Sequence, residues 1–176
     1  MSFEIEAKLK VNSLPEIERK LKELGAEFLA EQSQSDDHFD DAKVSLITTD
    51  QCLRLRRQTT GENKRFFLTY KGAKEDSDFK KRQEIEIEID SADKAYTLLS
   101  SLGYHKVLFV EKKRRLWRLG NCDVALDHLP ELGDFVEIEG PDDATIAEAQ
   151  KRLGLAQLPS IAKSYAQMIN EKLNRS

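Results

Sequence analysis

Two sets of ionisable side chains fall at alternate positions along short segments of this chain, and each set has its own chemistry. The basic set is Lys8, Arg54, Arg56, Lys71, Arg82, Lys112 and Arg114; the acidic set is Glu4, Glu6, Glu84, Glu86, Asp127, Glu137 and Glu139. Arginine and lysine suit phosphate oxygens, and arginine can bind two at once. Paired carboxylates suit Mg²⁺ or Mn²⁺, which bridge to substrate phosphates while keeping some waters. Like charges packed together without a ligand are costly, so each set needs a partner. A metal–polyphosphate complex satisfies both at once.

Other chemistries lack their residues. There is no glycine-rich phosphate loop, HExxH, CxxC pair or GxSxG. His38, His105 and His128 are not spaced as a metal cluster and read as structural, with His128, beside Asp127, as the exception to watch. Trp117 and the phenylalanines read as core rather than as a nucleobase platform. Cys52 and Cys122 lie far apart and read as reduced and incidental. The 176 residues hold 28 basic and 32 acidic side chains, for a net charge of −4. That balance argues against a nucleic-acid or anionic-membrane partner. No apolar leader or membrane-length run is present, so the expected location is cytoplasmic.

The charged residues need elements that hold them. Phe3 to Lys10 (FEIEAKLK) alternates, with Glu4, Glu6, Lys8 and Lys10 on one face and Ile5, Ala7 and Leu9 on the other. A helix follows: Ser13 and Glu16 form a capping-box pattern, Leu14, Ile17, Leu21 and Leu24 an apolar stripe, and Gly25 a stop. The unit returns at an offset of 78, from Ser13 to Ser91, Gly25 to Gly103 and Glu6 to Glu84. Its second helix is expected to turn Ala95, Leu98, Leu99 and Leu102 inward. A looser third copy runs from Val136 through a helix near Ala144 to Leu153, stopped by Gly154.

Between the copies, Gln51 to Gln58 and Lys64 to Lys71 read as a hairpin. Val110 to Leu119 and Asp123 to His128 read as another across Gly120-Asn121. Gly72 to Asp78 reads as a mobile loop. A last helix over about Ile161 to Leu173, carrying Ile161, Tyr165, Met168 and Ile169, is expected to dock on the strands. Strand after strand thus carries one charged and one apolar face, and several amphipathic helices can cover the apolar ones. The economical arrangement is a sheet closed on itself, charged faces inward and helices outside. The length suits one domain over 1–176.

Read in order, the motifs resemble a known family. They are Glu4-Ile5-Glu6-Ala7-Lys8 (ExExK), Leu53-Arg54-Leu55-Arg56, Tyr70-Lys71-Gly72, Arg82-Gln83-Glu84-Ile85-Glu86, Glu111-Lys112-Lys113-Arg114, Ala125-Leu126-Asp127-His128, Gly133 to Glu139 and Lys163-Ser164-Tyr165. This ordered set resembles the CYTH domains, or triphosphate tunnel metalloenzymes, and most of all their bacterial class IV adenylyl cyclase branch. The resemblance implies an α+β fold with a closed eight-stranded antiparallel barrel. It implies Glu4, Glu6, Glu137 and Glu139 as metal ligands for Mg²⁺ or Mn²⁺. Lys8, Arg54, Arg56, Lys71, Arg82, Lys112 and Arg114 become the phosphate clamp, with Lys112, Arg114 and Asp127 in catalytic roles and Glu84 and Glu86 as metal or supporting residues.

The partner so implied is ATP or another triphosphate, and a homodimer is compatible with the family. The reaction implied first is conversion of ATP to cyclic AMP and pyrophosphate. Hydrolysis of thiamine triphosphate or inorganic triphosphate is the alternative, and a non-catalytic polyphosphate or nucleotide sensor a third. The complete carboxylate set counts against the sensor, because anion binding alone needs only the basic residues.

Overall fold

The computed structural model describes residues 2–43, 45–75 and 80–174, and the side chains of 2–4, 74–75 and 80–81 lie outside that description. Its elements follow in the order β1 (Ser2–Lys10), α1 (Leu14–Glu23), β2 (Glu27–Asp41), β3 (Cys52–Thr60), β4 (Asn63–Glu75), β5 (Lys80–Ile89), α2 (Ala92–Ser101), β6 (Tyr104–Leu119), β7 (Cys122–Leu129), β8 (Gly133–Glu139), α3 (Asp143–Arg152) and α4 (Tyr165–Leu173).

Neighbouring strands are all antiparallel, and their order β1-β5-β4-β3-β2-β6-β7-β8 returns to β1. The expected α+β class and its eight antiparallel strands are therefore present. Closure is made in halves. Ser2 to Glu6 pair with β5, and Glu6 to Lys10 pair with β8, so Glu6 alone belongs to both ladders. The long β2–β6 pair carries register shifts at Phe28/Ala30 and His38/Phe39, irregularities of the kind that bend a strand and increase its twist.

The helices begin and stop where the repeat predicts. Ser13, Ser91 and Asp142 each accept a hydrogen bond from the N–H three residues on, satisfying a donor the first turn leaves open. Gly25, Gly103 and Gly154 follow the helices with φ of +71°, +96° and +71°, a conformation costly for residues with a Cβ.

The strands separate their faces as expected. The outer faces of β1, β7 and β8 supply Ala7, Leu9, Val124, Leu126, Val136 and Ile138, which pack under α1 (Leu14, Ile17, Leu21) and α3 (Ile146, Ala149). Each leucine, isoleucine or valine among them contributes about 2 kcal/mol by leaving water. A second cluster sets Ala92 and Leu99 of α2 against Phe39 and Leu55; a third sets Tyr165 and Ile169 of α4 against Val110, Leu129 and Phe135. With these faces taken outward, the alternate charged residues have only the interior to occupy. Among the described residues no helix is long and apolar enough to cross a membrane.

Four expectations are corrected. Leu98 and Leu102 are 59% and 64% exposed rather than inward, because α2 docks through the narrower line of Ala92, Ala95 and Leu99. Gly72 to Glu75 continue β4, with a register shift between Lys71 and Lys74, instead of forming a loop; residues 76–78 of that expectation lie outside the described residues. The last helix starts at Tyr165, since Ile161 bonds to β1 through its N–H and Ser164 serves as N-cap. Finally, β2 is a strand that the sequence reading does not contain. Its EFLAEQSQSDDHFDD lacks apolar alternation, and its pairing partners β3 and β6, not its own pattern, make it a strand.

Candidate functional site

The inward side chains enclose a cavity of about 550 Å³, lined by Glu6, Lys8, Asp36, His38, Cys52, Arg54, Arg56, Lys71, Arg82, Glu84, Glu86, Lys112, Arg114, Glu137 and Glu139, with α4 along one side. Its first wall is the β1–β8 ladder. Glu6 faces Glu139 directly in register, and Lys8 faces Glu137. Lys8 Nζ lies 3.2 Å from Glu137 and 3.8 Å from Glu6, with its side chain 2% exposed. Two carboxylates thus flank one ammonium, and Glu139 stands on the same ladder opposite Glu6. Among the described residues no three acidic, histidine or cysteine side chains form a metal-ligand cluster, and the Glu4 side chain falls outside the description. The donor set itself fits a hard divalent cation, which takes carboxylate oxygens.

The second wall joins β2, β3, β4 and β5. Asp36 accepts two bonds from Arg56, at 2.8 and 2.7 Å, and lies 3.8 Å from Arg54. Burial opposes the Asp36 charge, yet Arg56 and Arg54 hold its pKa far below the usual carboxylate range. Arg54 also reaches Thr69 at 3.1 Å and Glu86 at 3.3 Å; Lys71 lies 2.8 Å from Glu84. Glu84 and Glu86 here form ion pairs with Lys71 and Arg54. Among the described residues, the Nε atoms of Arg54 and Arg82 are buried without a hydrogen-bond partner. A buried donor left unsatisfied is costly, so these two point to an acceptor brought by a ligand.

The third wall is β6–β7. Asp127 is wholly buried and accepts from Lys112 Nζ (3.0 Å), Arg114 Nε (2.7 Å), Arg114 Nη2 (2.6 Å) and the Tyr165 hydroxyl (2.9 Å). Arg114 also bonds Glu137. Burial and the adjacent Arg114 guanidinium pull the Lys112 ammonium down to about 8, while burial is outweighed at Arg114 by Asp127 and Glu137, which raise its pKa.

A model of the CYTH domain matches residues 2–165 of the chain. The chain belongs to the CYTH domain family. Among its relatives, a candidate adenylate cyclase of Methanocaldococcus jannaschii, MJ0240, is 30% identical over 94% of this chain and 98% of its own length. The protein named Adenylate cyclase CyaB of Aeromonas hydrophila is 29% identical over 97% of this chain and 91% of its own. Among solved structures, PH1819 from Pyrococcus horikoshii OT3 superimposes with a TM-score of 0.84 at 33% identity, over 96% and 99% of the two chains. HpAC1 of Hippeastrum, described as a candidate adenylyl cyclase with a dominant triphosphatase activity, shares the fold at a TM-score of 0.74 and 17% identity, over 96% of each chain.

In this CYTH chain, all the site residues singled out from sequence whose side chains are described lie in the lumen or its wall. His128 does not: it is exposed on the outer face and bonds Asp134 at 2.7 Å. Asp36, His38, Cys52 and Tyr165 are wall residues that sequence reasoning left out of the site. Asp36 and His38 sit on the unrecognised β2; the available signal was charge balance, since Arg56 needs an acid in register across the ladder. His38 Nδ1 lies 3.4 Å from Cys52 Sγ. Burial and the neighbouring arginines keep the His38 ring neutral, with a pKa of about 4, and burial pushes the Cys52 thiol up.

Proposed function

We propose that this CYTH protein is a metal-dependent enzyme acting on a triphosphate, and that its reaction is cyclisation of ATP to 3′,5′-cyclic AMP with release of pyrophosphate. The observation that carries the reading is the pair of buried Nε donors on Arg54 and Arg82, without partners among the described residues, inside a lumen that also presents carboxylates in register. Arg54, Arg56, Lys71 and Arg82 grip the phosphate chain from one side, and Lys8, Lys112 and Arg114 from the other. Glu6, Glu137 and Glu139, with Glu4, would hold Mg²⁺ or Mn²⁺, whose chemistry is to neutralise phosphoryl oxygens and lower the pKa of a bound hydroxyl.

Cyclisation requires the ribose 3′-hydroxyl to attack the α-phosphorus while pyrophosphate leaves. Fixed cations aimed at the oxygens where charge develops lower that barrier without reorganising. Asp127 is saturated by four donors, so its part is to aim Lys112 and Arg114 rather than to take a proton. The names of the M. jannaschii and A. hydrophila relatives support the cyclase, and the activity of HpAC1 marks triphosphate hydrolysis as the reaction to test against it.

A product assay decides. The protein is incubated with ATP, thiamine triphosphate or inorganic triphosphate plus Mg²⁺ or Mn²⁺, and products are separated by chromatography. Cyclic AMP with pyrophosphate is the expected result; orthophosphate and the matching diphosphate, without cyclic AMP, would replace the cyclase with a triphosphatase.

A further inference from the structure

Helix α4 lines the lumen with Tyr165, Ala166, Gln167 and Asn170, and Tyr165 is the one that bonds to the buried Asp127. Tyr165, its first residue, is 7% exposed, and its hydroxyl donates to Asp127 Oδ2 at 2.9 Å. Its ring face carries two lumen ammoniums: Lys8 Nζ stands 4.3 Å from the centroid and Lys112 Nζ 4.9 Å. Phe135 backs the same ring edge-on, with centroids 5.2 Å apart. The chain leading into α4 fastens to the same lysine, since Ile161 N–H donates to the Lys8 carbonyl at 2.8 Å and Lys8 Nζ donates to the Lys163 carbonyl at 3.2 Å. An aromatic face attracts ammonium groups more strongly where water is excluded. Two like charges gathered on one ring, and the carboxylate between their strands held by the same side chain, make Tyr165 a junction of the walls.

We propose that Tyr165 is a positioning residue for the triphosphate site, fixing the Lys8 and Lys112 ammoniums through its ring and the Asp127 carboxylate through its hydroxyl. Helix α4 is then part of the binding machinery rather than a brace on the strands. This inference rests on the proposed triphosphate site for its consequence, but not for its geometry. Burial and the nearby Glu137 and Asp127 charges hold the phenol protonated, which keeps it a donor.

Three variants separate a ring that positions from a side chain that fills space: Tyr165→Phe keeps the ring, while Tyr165→Met and Tyr165→Leu keep apolar volume only. The full chain is measured well below each variant's melting temperature, by calorimetry with a methylene-bridged ATP analogue and Mg²⁺ and by acetic anhydride labelling of lysines read by mass spectrometry. Phe is expected to stay within about threefold of wild type in affinity, and Met or Leu to lose about tenfold or more. In Met and Leu, labelling of Lys8 and Lys112 should rise several-fold while Lys20 is unchanged. Should one apolar variant fail to fold, the other carries the comparison. If Met or Leu matches Phe in both readouts, Tyr165 only packs, and the inference is overturned. If wild type does not bind the analogue, the triphosphate reading fails instead. The labelling contrast between Phe and Met then still decides the positioning role.

Discussion

The β2–β3 and β6–β7 walls each carry an arginine held in two-point contact by an aspartate, yet the two are built to different degrees. Asp36 binds Arg56 twice and leaves Arg54 at 3.8 Å with a buried, unpartnered Nε. Asp127 gathers four donors from three side chains and is wholly buried. One wall keeps a buried donor without a partner among the described residues; the other ties Lys112 and Arg114 to Asp127, with Arg114 also on Glu137. The contrast divides the labour. If the proposed triphosphate binds, the β2–β3 wall is the one expected to exchange partners, and the β6–β7 wall the one expected to keep its arrangement.

The largest test of that contrast removes each aspartate. Asp127→Ala strands Lys112 and Arg114 in a buried site and should destabilise the protein by about 3–5 kcal/mol. Asp36→Ala strands Arg56 but spares Arg54, which has Glu86 and Thr69 within reach, and so should cost less than removing the four-donor Asp127. Urea unfolding of both variants compares them, and equal losses would erase the distinction.

Next, Arg54→Met should weaken triphosphate binding by about tenfold to hundredfold, the worth of one or two charge-assisted bonds, with little change in melting temperature. Calorimetry and a thermal melt on the same variant check both halves. Glu6→Gln should remove the dependence of turnover on added Mg²⁺ or Mn²⁺ by removing turnover itself, leaving the circular dichroism spectrum unchanged. Full activity in that variant would exclude Glu6 as a ligand.

The smallest effect is a pH dependence confined to the mouth of the β2–β3 wall. The pKa of His38 is lowered from 6.5 to about 4, chiefly by burial. The unfolded chain therefore takes up this proton first, so acid favours unfolding. The His38 contribution is intact above pH 6.5 and is lost as pH falls towards 4. Melting temperatures of wild type and His38→Gln between pH 7 and pH 4 should diverge across that window. Parallel curves would show that the ring does not titrate there.

The two walls also differ in how far they could be read from sequence. On β6–β7, Asp127 lies on a segment where Val124 and Leu126 alternate with it, Lys112 and Arg114 stand out as the Glu111-Lys112-Lys113-Arg114 block, and Gly120-Asn121 marks the turn that brings them together. On β2–β3, Arg54 and Arg56 were legible between Leu53 and Leu55, but Asp36 was not. Its strand is polar on both faces, with Asp37 turned outward to Arg57 and Lys106 and Asp36 turned inward to Arg56. A strand identified only by its partners cannot show alternation of its own. Tyr165 was visible as an apolar docking residue, but its hydroxyl and ring contacts depend on how α4 crosses the sheet, which no local spacing encodes. Leu98 and Leu102 erred the other way: helical periodicity gives a stripe but not its width, and the contact with β3 and β4 uses only part of it.

The most direct test of the central claim is calorimetric titration of the metal-loaded protein with non-hydrolysable triphosphate, pyrophosphate and monophosphate, in wild type and Arg54→Met. A lumen with cations on facing walls should bind in the order triphosphate, pyrophosphate, monophosphate, and Arg54→Met should weaken the triphosphate most. Equal affinities for the three, unmoved by the substitution, would contradict a lumen built to grip a phosphate chain.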